Sequence, residues 1–392
     1  MKSNFFNPLQ LKHLMAHKGS YLRAIATDEG LRFCPDFAQN IIHVLDPVPV
    51  KMDVSDIKGE DGRNIAYMIA DGYQIAKLAD ALDFTKAEVV KDGDSLDFVV
   101  GKKHFPMKLF SASEPYFDLN LEGYTGTVEW DAAGSEAMQA CNIASYEIGV
   151  ARPFLQGVFI DPEGMFVATD GCRMIYHKAC YVLKGLEEFL KAHPSKRDDN
   201  NFIMPSWTIP YLDGYAKVFY AYHDKEAEDS DHYPLHTQWS YWKLETGGET
   251  YLFHPIDGQF PKWRKVAPEY IDPEDSGYHY EHKKVTFDFE GMKRYKKVGK
   301  HDSLLCRFHD GTCTQVYNGE IELDIGVEFP LPEGIDVYFN AQYLIDGVKV
   351  FGKQAEVEIS LPDPDEGHIT KAVDIVGKND LLHYVVMPRR AD

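Results

Sequence analysis

The sequence lacks the short motifs that mark the common enzyme classes. It contains no Gly-x-x-x-x-Gly-Lys-Ser/Thr phosphate loop, no Gly-x-Gly-x-x-Gly dinucleotide fingerprint, no His-Glu-x-x-His zinc motif and no Gly-x-Ser-x-Gly nucleophile elbow. Each of these motifs holds a phosphate, a metal or a nucleophile at a defined turn or helix. No nucleophile, base and orienting group occur together in another pattern. We therefore predict no catalytic residue, no metal, no cofactor and no enzymatic reaction.

The chain also has no run of about 18 apolar residues, the length that a membrane-spanning helix needs. Its first seven residues lack the apolar core of a signal peptide. The six cysteines include no Cys-x-x-Cys pair, which excludes a zinc ribbon and a thioredoxin-like motif. Scattered free thiols are typical of a reducing compartment, so we predict a cytoplasmic protein.

Positive charge is scarce. The chain has 41 Lys and Arg against 62 Asp and Glu, and its net charge is -21. Because phosphate binding needs Lys and Arg, this balance argues against nucleic-acid binding over the whole surface. A negative net charge is compatible with a local basic patch on an otherwise acidic surface. The acidic part of the surface would repel DNA and so discourage non-specific binding. The position of the cations therefore decides the question.

A chain of 392 residues, 44% of them hydrophobic, is too long for one ordinary core and predicts two or three domains. One pattern occurs three times. Each copy opens with a predicted helix, at residues 7–18, 131–145 and 288–300. Asn7, Asp131 and Asp288 are suitable caps, since their side chains can accept an unpaired amide proton.

A second predicted helix follows in each copy, starting near Ala70, Pro205 and Asn340. These starts are evenly spaced along the chain. Each copy then closes with strands, at residues 104–110, 251–256 and 383–388. The repeat predicts an α+β protein of three similar domains, at residues 1–124, 125–272 and 273–392. An acidic stretch at residues 223–232 reads as a loop insertion in the second domain.

Residues 152–174 form the most informative segment. They predict a hairpin, with strand character in Leu155, Val158 and Ile160, a turn at residues 162–164 and a return strand at residues 165–168. Thr169-Asp170-Gly171 then ends the strand, because Asp and Gly favour turns. Two further segments stand out, Gln-Phe-Pro-Lys-Trp-Arg-Lys-Val-Ala-Pro at residues 259–268 and Tyr-Val-Val-Met-Pro-Arg-Arg at residues 384–390.

Together these three segments resemble the bacterial β sliding clamp, the processivity subunit of DNA polymerase III, over about residues 125–392. The resemblance implies three repeated clamp domains, each with two helices inside and β-sheets outside. It also implies a head-to-tail homodimer that forms a ring around duplex DNA, tethers a DNA polymerase and is opened by an ATP-dependent clamp loader. This chain would be a diverged member, because its first domain matches only weakly.

The resemblance further implies a cleft that accepts a short peptide from partner proteins. A preformed apolar groove of this kind gains affinity by burying two or three side chains of the peptide. Cys172 and Met174 depart from the usual His and Leu. The residues carried over by motif are Leu155, Thr169, Gly171, Cys172, Arg173, Met174, Pro261, Val266, Asn340, Tyr343, Val386, Met387, Pro388 and Arg389.

The densest basic cluster lies in the third copy, where helical spacing would put several lysines on one face. We predict that these residues and others on or near the repeated helices face DNA. The helix at residues 131–145 departs from this pattern, since it has no Lys or Arg. The predicted DNA-binding residues are Lys12, Lys18, Lys77, Arg152, Lys217, Lys293, Arg294, Lys296, Lys297, Lys300, Lys349 and Lys353.

Two other functional classes stay open on the sequence alone. One is a metal-dependent nucleic-acid enzyme, for which His279 and His282 in a predicted linker offer two ligands at suitable spacing. The other is a clamp-like interaction scaffold that does not encircle DNA.

Overall fold

The computed structural model describes residues 21–27, 30–37, 41–44, 50–51, 66–69, 88–93, 95–108, 110–111, 126–145, 152–178, 181–185, 202–220, 242–256, 258–271, 279–294, 305–317, 321–365, 367–377 and 379–389. Several predictions lie outside these residues. They are the helix at residues 7–18, the segment after Ala70, the acidic insertion at residues 223–232, and Lys12, Lys18, Lys77, Lys296, Lys297 and Lys300.

The described residues are rich in strands. In chain order these are β1 (Tyr21–Thr27), β2 (Gly30–Phe37), β3 (Ile41–Val44), β4 (Val50–Lys51), β5 (Ala66–Ile69), β6 (Glu88–Asp92), β7 (Ser95–Val100), β8 (Lys103–Lys108), β9 (Phe110–Ser111), β10 (Gly126–Trp130), β11 (Gly157–Asp161), β12 (Met165–Thr169), β13 (Arg173–Lys178), β14 (Tyr181–Lys184), β15 (Ile203–Pro205), β16 (Ala216–Tyr220), β17 (Trp242–Thr246), β18 (Glu249–Phe253), β19 (Tyr280–Asp288), β20 (Leu305–His309), β21 (Thr312–Tyr317), β22 (Ile321–Glu328), β23 (Asp336–Asn340), β24 (Gln354–Pro362), β25 (Val373–Gly377) and β26 (Leu382–Val386).

Helices are few. The described residues form two α-helices, α1 (Ala132–Asn142) and α2 (Ala341–Phe351). Short 3-10 helices occur at Pro153–Leu155, Ile209–Tyr211, Trp263–Lys265, Pro268–Tyr270 and Gly291–Arg294. No helix of the described part of the chain is long and apolar enough to cross a membrane.

The chain divides into two compact units. The first unit comprises Met1–Glu129, Val182–Ala192 and Asp213–Pro255. It contains a ten-stranded sheet in the order β14-β10-β16-β17-β18-β3-β2-β1-β5-β9 and a four-stranded sheet in the order β4-β6-β7-β8. In β16, Ala216, Val218 and Tyr220 are buried and the residues between them are half-buried, the alternation expected when one face of a strand covers a core.

The second unit comprises Trp130–Tyr181, His193–Leu212 and Ile256–Asp392. Its larger sheet has the order β15-β11-β12-β13-β26-β25-β24-β19, and its smaller sheet has the order β22-β21-β20-β23. Every residue of β11 is buried. We attribute this to cover on both faces, because α1 contacts β11, β12 and β13, and the Phe260 ring stacks on Phe159 at 5.0 Å. A strand buried on both faces reads as a continuous apolar run.

The predicted hairpin is confirmed. β11 and β12 pair antiparallel, with Ile160 opposite Phe166 and Asp161 opposite Met165. Gly164 in the turn has φ of 99°, a conformation that glycine adopts at little cost. The strand prediction for Leu155 is wrong, since this residue ends the 3-10 helix that precedes β11.

Two of the predicted helices are also confirmed, together with their caps. The Asp131 side chain accepts a hydrogen bond from the Gly134 amide at the start of α1. The Asn340 side chain accepts from the Gln342 amide at the start of α2. Gly352, with φ of 91°, ends α2, so Lys353 lies beyond the helix rather than on it as predicted.

Two other helix predictions are wrong in the described residues. Pro205 ends strand β15, and only the 3-10 helix Ile209–Tyr211 follows. A helix that starts near Pro205 would place Pro210 in its interior, where proline cannot donate the backbone hydrogen bond. Asp288 ends β19, and the chain then makes a turn and the short 3-10 helix Gly291–Arg294. The Asp288 side chain still accepts from the Gly291 amide, as a cap would.

His282 does not lie in a linker. It is part of β19, opposite Ser360, and its Nδ1 lies 2.8 Å from the Ser360 hydroxyl.

Candidate functional site

The turn between β12 and β13 is closed by its own side chains. The Thr169 hydroxyl donates to the carbonyl of Arg173 at 2.6 Å and accepts from the Gly171 amide at 3.0 Å. Asp170 Oδ1 accepts from the amides of Cys172 and Arg173 at 2.8 and 2.9 Å. Gly171 has φ of 92°, which explains the glycine at this position. The turn is therefore rigid, and it places Arg173 at the first position of β13.

Arg173 joins three elements of the second unit. Its Nε donates to Asp170 Oδ2 at 3.0 Å, and its Nη1 donates to Asp346 of α2 at 2.7 Å and to the Tyr384 hydroxyl of β26 at 3.2 Å. The guanidinium also lies over the Tyr343 ring, 4.6 Å from its centre. Burial opposes the charge of Arg173, but these neighbours outweigh it and raise its pKa above the ordinary value.

Tyr343 of α2 lies beside Arg173. Its backbone carbonyl accepts a 2.7 Å hydrogen bond from the Tyr384 hydroxyl, which fixes the start of α2 against β26. Burial, aided by the Asp170 carboxylate and the Cys172 thiol, raises the pKa of the Tyr343 hydroxyl to about 12. The hydroxyl is therefore a neutral hydrogen-bonding group at physiological pH.

The chain leaves β26 directly into the predicted cleft. Arg173 lies opposite Val386 in the sheet, and the Met387 amide donates to the carbonyl of Cys172 at 2.9 Å. The Arg389 amide donates to the carbonyl of Tyr338 at 2.8 Å. The backbone of this segment is thus fixed, while the Met387 side chain stays 37% exposed.

The segment after Phe260 is held by a buried carboxylate. Asp161, at the end of β11, accepts hydrogen bonds on Oδ2 from Trp263 Nε1 at 2.9 Å and from Arg264 Nη1 at 2.8 Å. The Trp263 ring packs against Tyr176 of β13 at 5.1 Å. These contacts fix the 3-10 helix that leads into Val266, whose side chain is 51% exposed.

The structure brings part of the predicted set to one end of β13 and β26: Thr169, Gly171, Cys172, Arg173, Met174, Val386 and Met387. These residues are divided between the two faces of the sheet. Successive side chains of a strand point to opposite faces. Arg173 and Val386 are therefore on the face of α2, with Asn340 and Tyr343. Met174, which lies opposite Thr169 and Val385, is on the face that carries Tyr176 and Trp263. Leu155, Met174 and Val386 are buried, whereas Pro261, Val266 and Met387 are exposed.

Sequence reasoning missed Asp161, Asp346 and Tyr384. A carboxylate in the buried strand β11 and another in the middle of α2 were the available signals, since a buried charge needs a partner. The partners themselves are far apart in the chain and could not be assigned from spacing.

The described residues that were predicted to contact DNA lie on different elements. Lys217 lies on β16 of the first unit, where Glu129 accepts from it at 3.1 Å. Lys293 pairs with Glu290 at 2.9 Å, and Lys349 pairs with Asp346 at 3.4 Å. Arg294 donates to the carbonyl of Ile325 at 3.1 Å.

Arg152 was also predicted to contact DNA. The structure places its guanidinium beside the turn between β12 and β13. Arg152 Nη1 lies 3.6 Å from the position that a Cβ atom on Gly171 would occupy. Lys353 lies in the turn between α2 and β24.

No protein-family model and no curated protein sequence matches this chain. Solved structures do. The DNA polymerase III β subunit of Pseudomonas aeruginosa is similar with a TM-score of 0.67 at 17% identity, over 97% of each chain. The griselimycin-bound sliding clamp of Bartonella birtlesii gives 0.65 at 14% identity, over 98% of this chain and 94% of that one. The Helicobacter pylori β clamp bound to a DNA ligase peptide gives 0.60 at 13% identity, over 97% and 96%.

This chain has the fold of the bacterial β sliding clamps. The likeness extends over nearly the whole length, so it includes the first part of the chain, where the sequence resemblance is weak. Within this clamp fold, the described residues contain no group of three or more His, Cys, Asp or Glu that could hold a metal ion.

Proposed function

We propose that this protein is a DNA sliding clamp that encircles duplex DNA and tethers a replicative polymerase and other partners. The likeness in fold to β sliding clamps over 97% of the chain carries this proposal. A clamp confers processivity by topology, so it requires no reaction, no cofactor and no catalytic residue. The sequence motifs that carried the resemblance lie in the candidate site described above.

We propose that partner proteins bind by inserting a short peptide into the cleft at the ends of β13 and β26. Val266 and Met387 support this site, because they are two of the four large hydrophobic side chains that are most exposed among the described residues. The backbone behind each is fixed by hydrogen bonds, so a peptide would meet a preformed surface. A β clamp of Helicobacter pylori is known bound to a peptide of DNA ligase.

A ring requires two copies joined head to tail. β19 pairs only with β24, and β8 pairs only with β7, so each lies at the edge of its sheet in the described chain. β19 is nine residues long and therefore presents an extended row of backbone groups. We propose that β8 of one copy pairs with β19 of the next, which closes a homodimer. An ATP-dependent loader would open this ring.

Contacts with DNA would be weak and independent of sequence. Phosphate contacts from lysine position a protein without reading bases, which suits a protein that slides. The described candidates Lys217, Lys293 and Lys349 already have carboxylate partners, which lowers the net positive charge they offer.

The carboxylate partners of Lys217, Lys293 and Lys349 favour a second candidate function, a clamp-like scaffold that binds partner proteins without encircling DNA. Such a scaffold would keep the peptide cleft and would need no closed ring.

Native mass spectrometry of the full chain tests the ring. The chain has a mass of 44.6 kDa, and the clamp proposal expects a particle of twice that mass at micromolar concentration. The variant Lys284→Pro in β19 removes a backbone hydrogen-bond donor at the proposed edge. The Lys284→Pro variant should be folded and monomeric. If the wild-type protein is itself a monomer, the scaffold function is favoured over the ring.

A further inference from the structure

Many of the described Lys and Arg side chains of the second unit have carboxylate partners. Among them, Arg173, Lys178, Arg264, Lys283, Arg307 and Lys349 each lie within 4.0 Å of a carboxylate oxygen. Other exposed cations differ. In the described part of the second unit, six of them form no ion pair with a carboxylate: Arg152, Lys262, Lys265, Arg294, Lys353 and Arg389. Four of these, Arg152, Lys262, Lys265 and Arg389, are predicted cleft residues or lie close to them in the chain or in space, and we call these four the basic rim.

The basic rim borders the apolar residues of the cleft. Arg152 precedes the 3-10 helix that ends at Leu155, and its Nη1 lies beside Gly171. Lys262 and Lys265 surround Trp263, and Val266 follows immediately. Arg389 lies two residues after Met387, with its amide bound to the carbonyl of Tyr338. Each rim residue is therefore close in the chain to a fixed, apolar part of the site.

From this arrangement we infer that the cleft selects acidic peptides, with Asp or Glu beside the hydrophobic anchors. This inference rests on the proposed peptide-binding function. The whole chain has a net charge of -21, so an acidic peptide is repelled by most of the surface. Unpaired cations at the cleft reverse this repulsion locally and would guide the peptide to its site. Charges at the rim of an interface act mainly on the association rate and on its salt dependence.

A basic rim could also bind the phosphates of single-stranded DNA. Proteins that bind single strands stack the bases on exposed aromatic rings. The exposed large hydrophobics of the cleft are instead aliphatic, Val266 and Met387, and the exposed aromatic among the described residues, Tyr215, belongs to the first unit. Aliphatic anchor sites surrounded by cations match an acidic amphipathic peptide better than a nucleic acid.

The test compares three fluorescent peptides that share one short hydrophobic anchor sequence of Leu and Phe and differ only in flanks of Glu, Gln or Lys. Binding to the full-length protein is measured by anisotropy at low and high salt. At low salt, the Glu-flanked peptide should bind about tenfold more tightly than the Gln-flanked one, and the Lys-flanked one more weakly. High salt should remove most of the difference.

The double variant Lys262→Glu and Lys265→Glu should lose the preference for the Glu flanks and keep the affinity for the Gln-flanked peptide. The matched control is Lys102→Glu, which changes an exposed lysine outside the predicted sites that forms no ion pair among the described residues. It should behave as wild type. Thermal denaturation checks that both variants fold.

Three results would overturn the inference, and they separate it from the proposed function. Equal affinity for the Glu and Gln peptides removes the acidic preference while the peptide cleft stands. No binding of any peptide removes the cleft itself, and the inference with it. Displacement of the Gln-flanked peptide by an oligothymidine, more strongly than by the Glu-flanked peptide, would assign the basic rim to nucleic acid.

Discussion

Arg173 and Asp346 form a 2.7 Å ion pair between β13 and α2, and both side chains are nearly buried. The pair joins the turn that follows β12 to the helix that carries Tyr343. Because a buried charge without its partner is strongly destabilising, this contact fixes the geometry of one side of the cleft.

Asp346→Asn should lower the free energy of unfolding by about 2–3 kcal/mol, less than for an isolated buried pair because Asp170 and Tyr384 still contact Arg173. It should also weaken peptide binding. Urea denaturation and anisotropy measure the two effects. Lys349→Ala is the matched control, since it removes a longer, exposed ion pair with the same Asp346 and should cost about 1 kcal/mol or less. Equal effects of the two variants would contradict the assignment.

Asp161→Asn tests the other side of the cleft. The Asn side chain can accept one hydrogen bond, but Arg264 loses its buried counter-charge, so stability should fall by about 1–3 kcal/mol. We also expect weaker peptide binding, because the 3-10 helix before Val266 is no longer fixed. Glu163→Gln is the control, since it removes an exposed ion pair with the same Arg264. A stability loss without any change in peptide affinity would show that Asp161 does not position this segment.

Val266→Ala and Met387→Ala should each weaken binding of a polymerase-tail peptide by about 1–3 kcal/mol, the range for a central anchor. Neither should greatly change stability, because both side chains are exposed in the free protein. Leu381→Ala, at another exposed hydrophobic position, should leave peptide affinity unchanged. Deletion of residues 387–392 should abolish the contribution of Met387 and leave the fold intact. Unchanged affinity in the truncated protein would argue against this site.

Glu129 gives a pH-dependent prediction for the first unit. Hydrogen bonds from Tyr215, Lys217 and Lys184 lower its pKa from 4.5 to about 2. A lowered pKa means that the carboxylate stabilises the fold above the unfolded value of 4.5 and loses this effect as the pH falls toward 2. The advantage of the wild type over Glu129→Gln in the free energy of unfolding, about 1 kcal/mol or less at this half-buried surface site, should therefore shrink between neutral pH and about pH 3. A constant difference would contradict the assignment.

Local rules predicted the parts of the fold that local chemistry determines. The hairpin around Gly164 follows from its turn residues, and α1 and α2 follow from their capping residues Asp131 and Asn340. The helix expected after Pro205 does not form, because Pro205 ends strand β15 and Pro210 could not donate a backbone hydrogen bond inside such a helix. Even spacing of the anchors thus did not determine the type of each element.

The candidate site was predictable as a set of motifs but not as a geometry. The motifs named Arg173, Tyr343 and Met387, whose relation depends on strand register and on the position of α2. The carboxylates Asp346 and Asp161, which bind Arg173 and Arg264, are remote in the chain from these partners, so spacing could not assign the pairs. Likewise, the pairing of Lys217 with Glu129 depends on neighbouring strands β16 and β10, so spacing alone could not show that this lysine is neutralised.

The most direct test of the central claim uses the topology of DNA. The protein is loaded onto nicked circular DNA, separated from unbound protein by gel filtration, and the circle is then cut once. If the protein encircles the duplex, it should be retained on the intact circle and should slide off the ends of the linear product. Retention on the linear DNA, or failure to stay on the circle, would contradict the proposal that this chain is a sliding clamp.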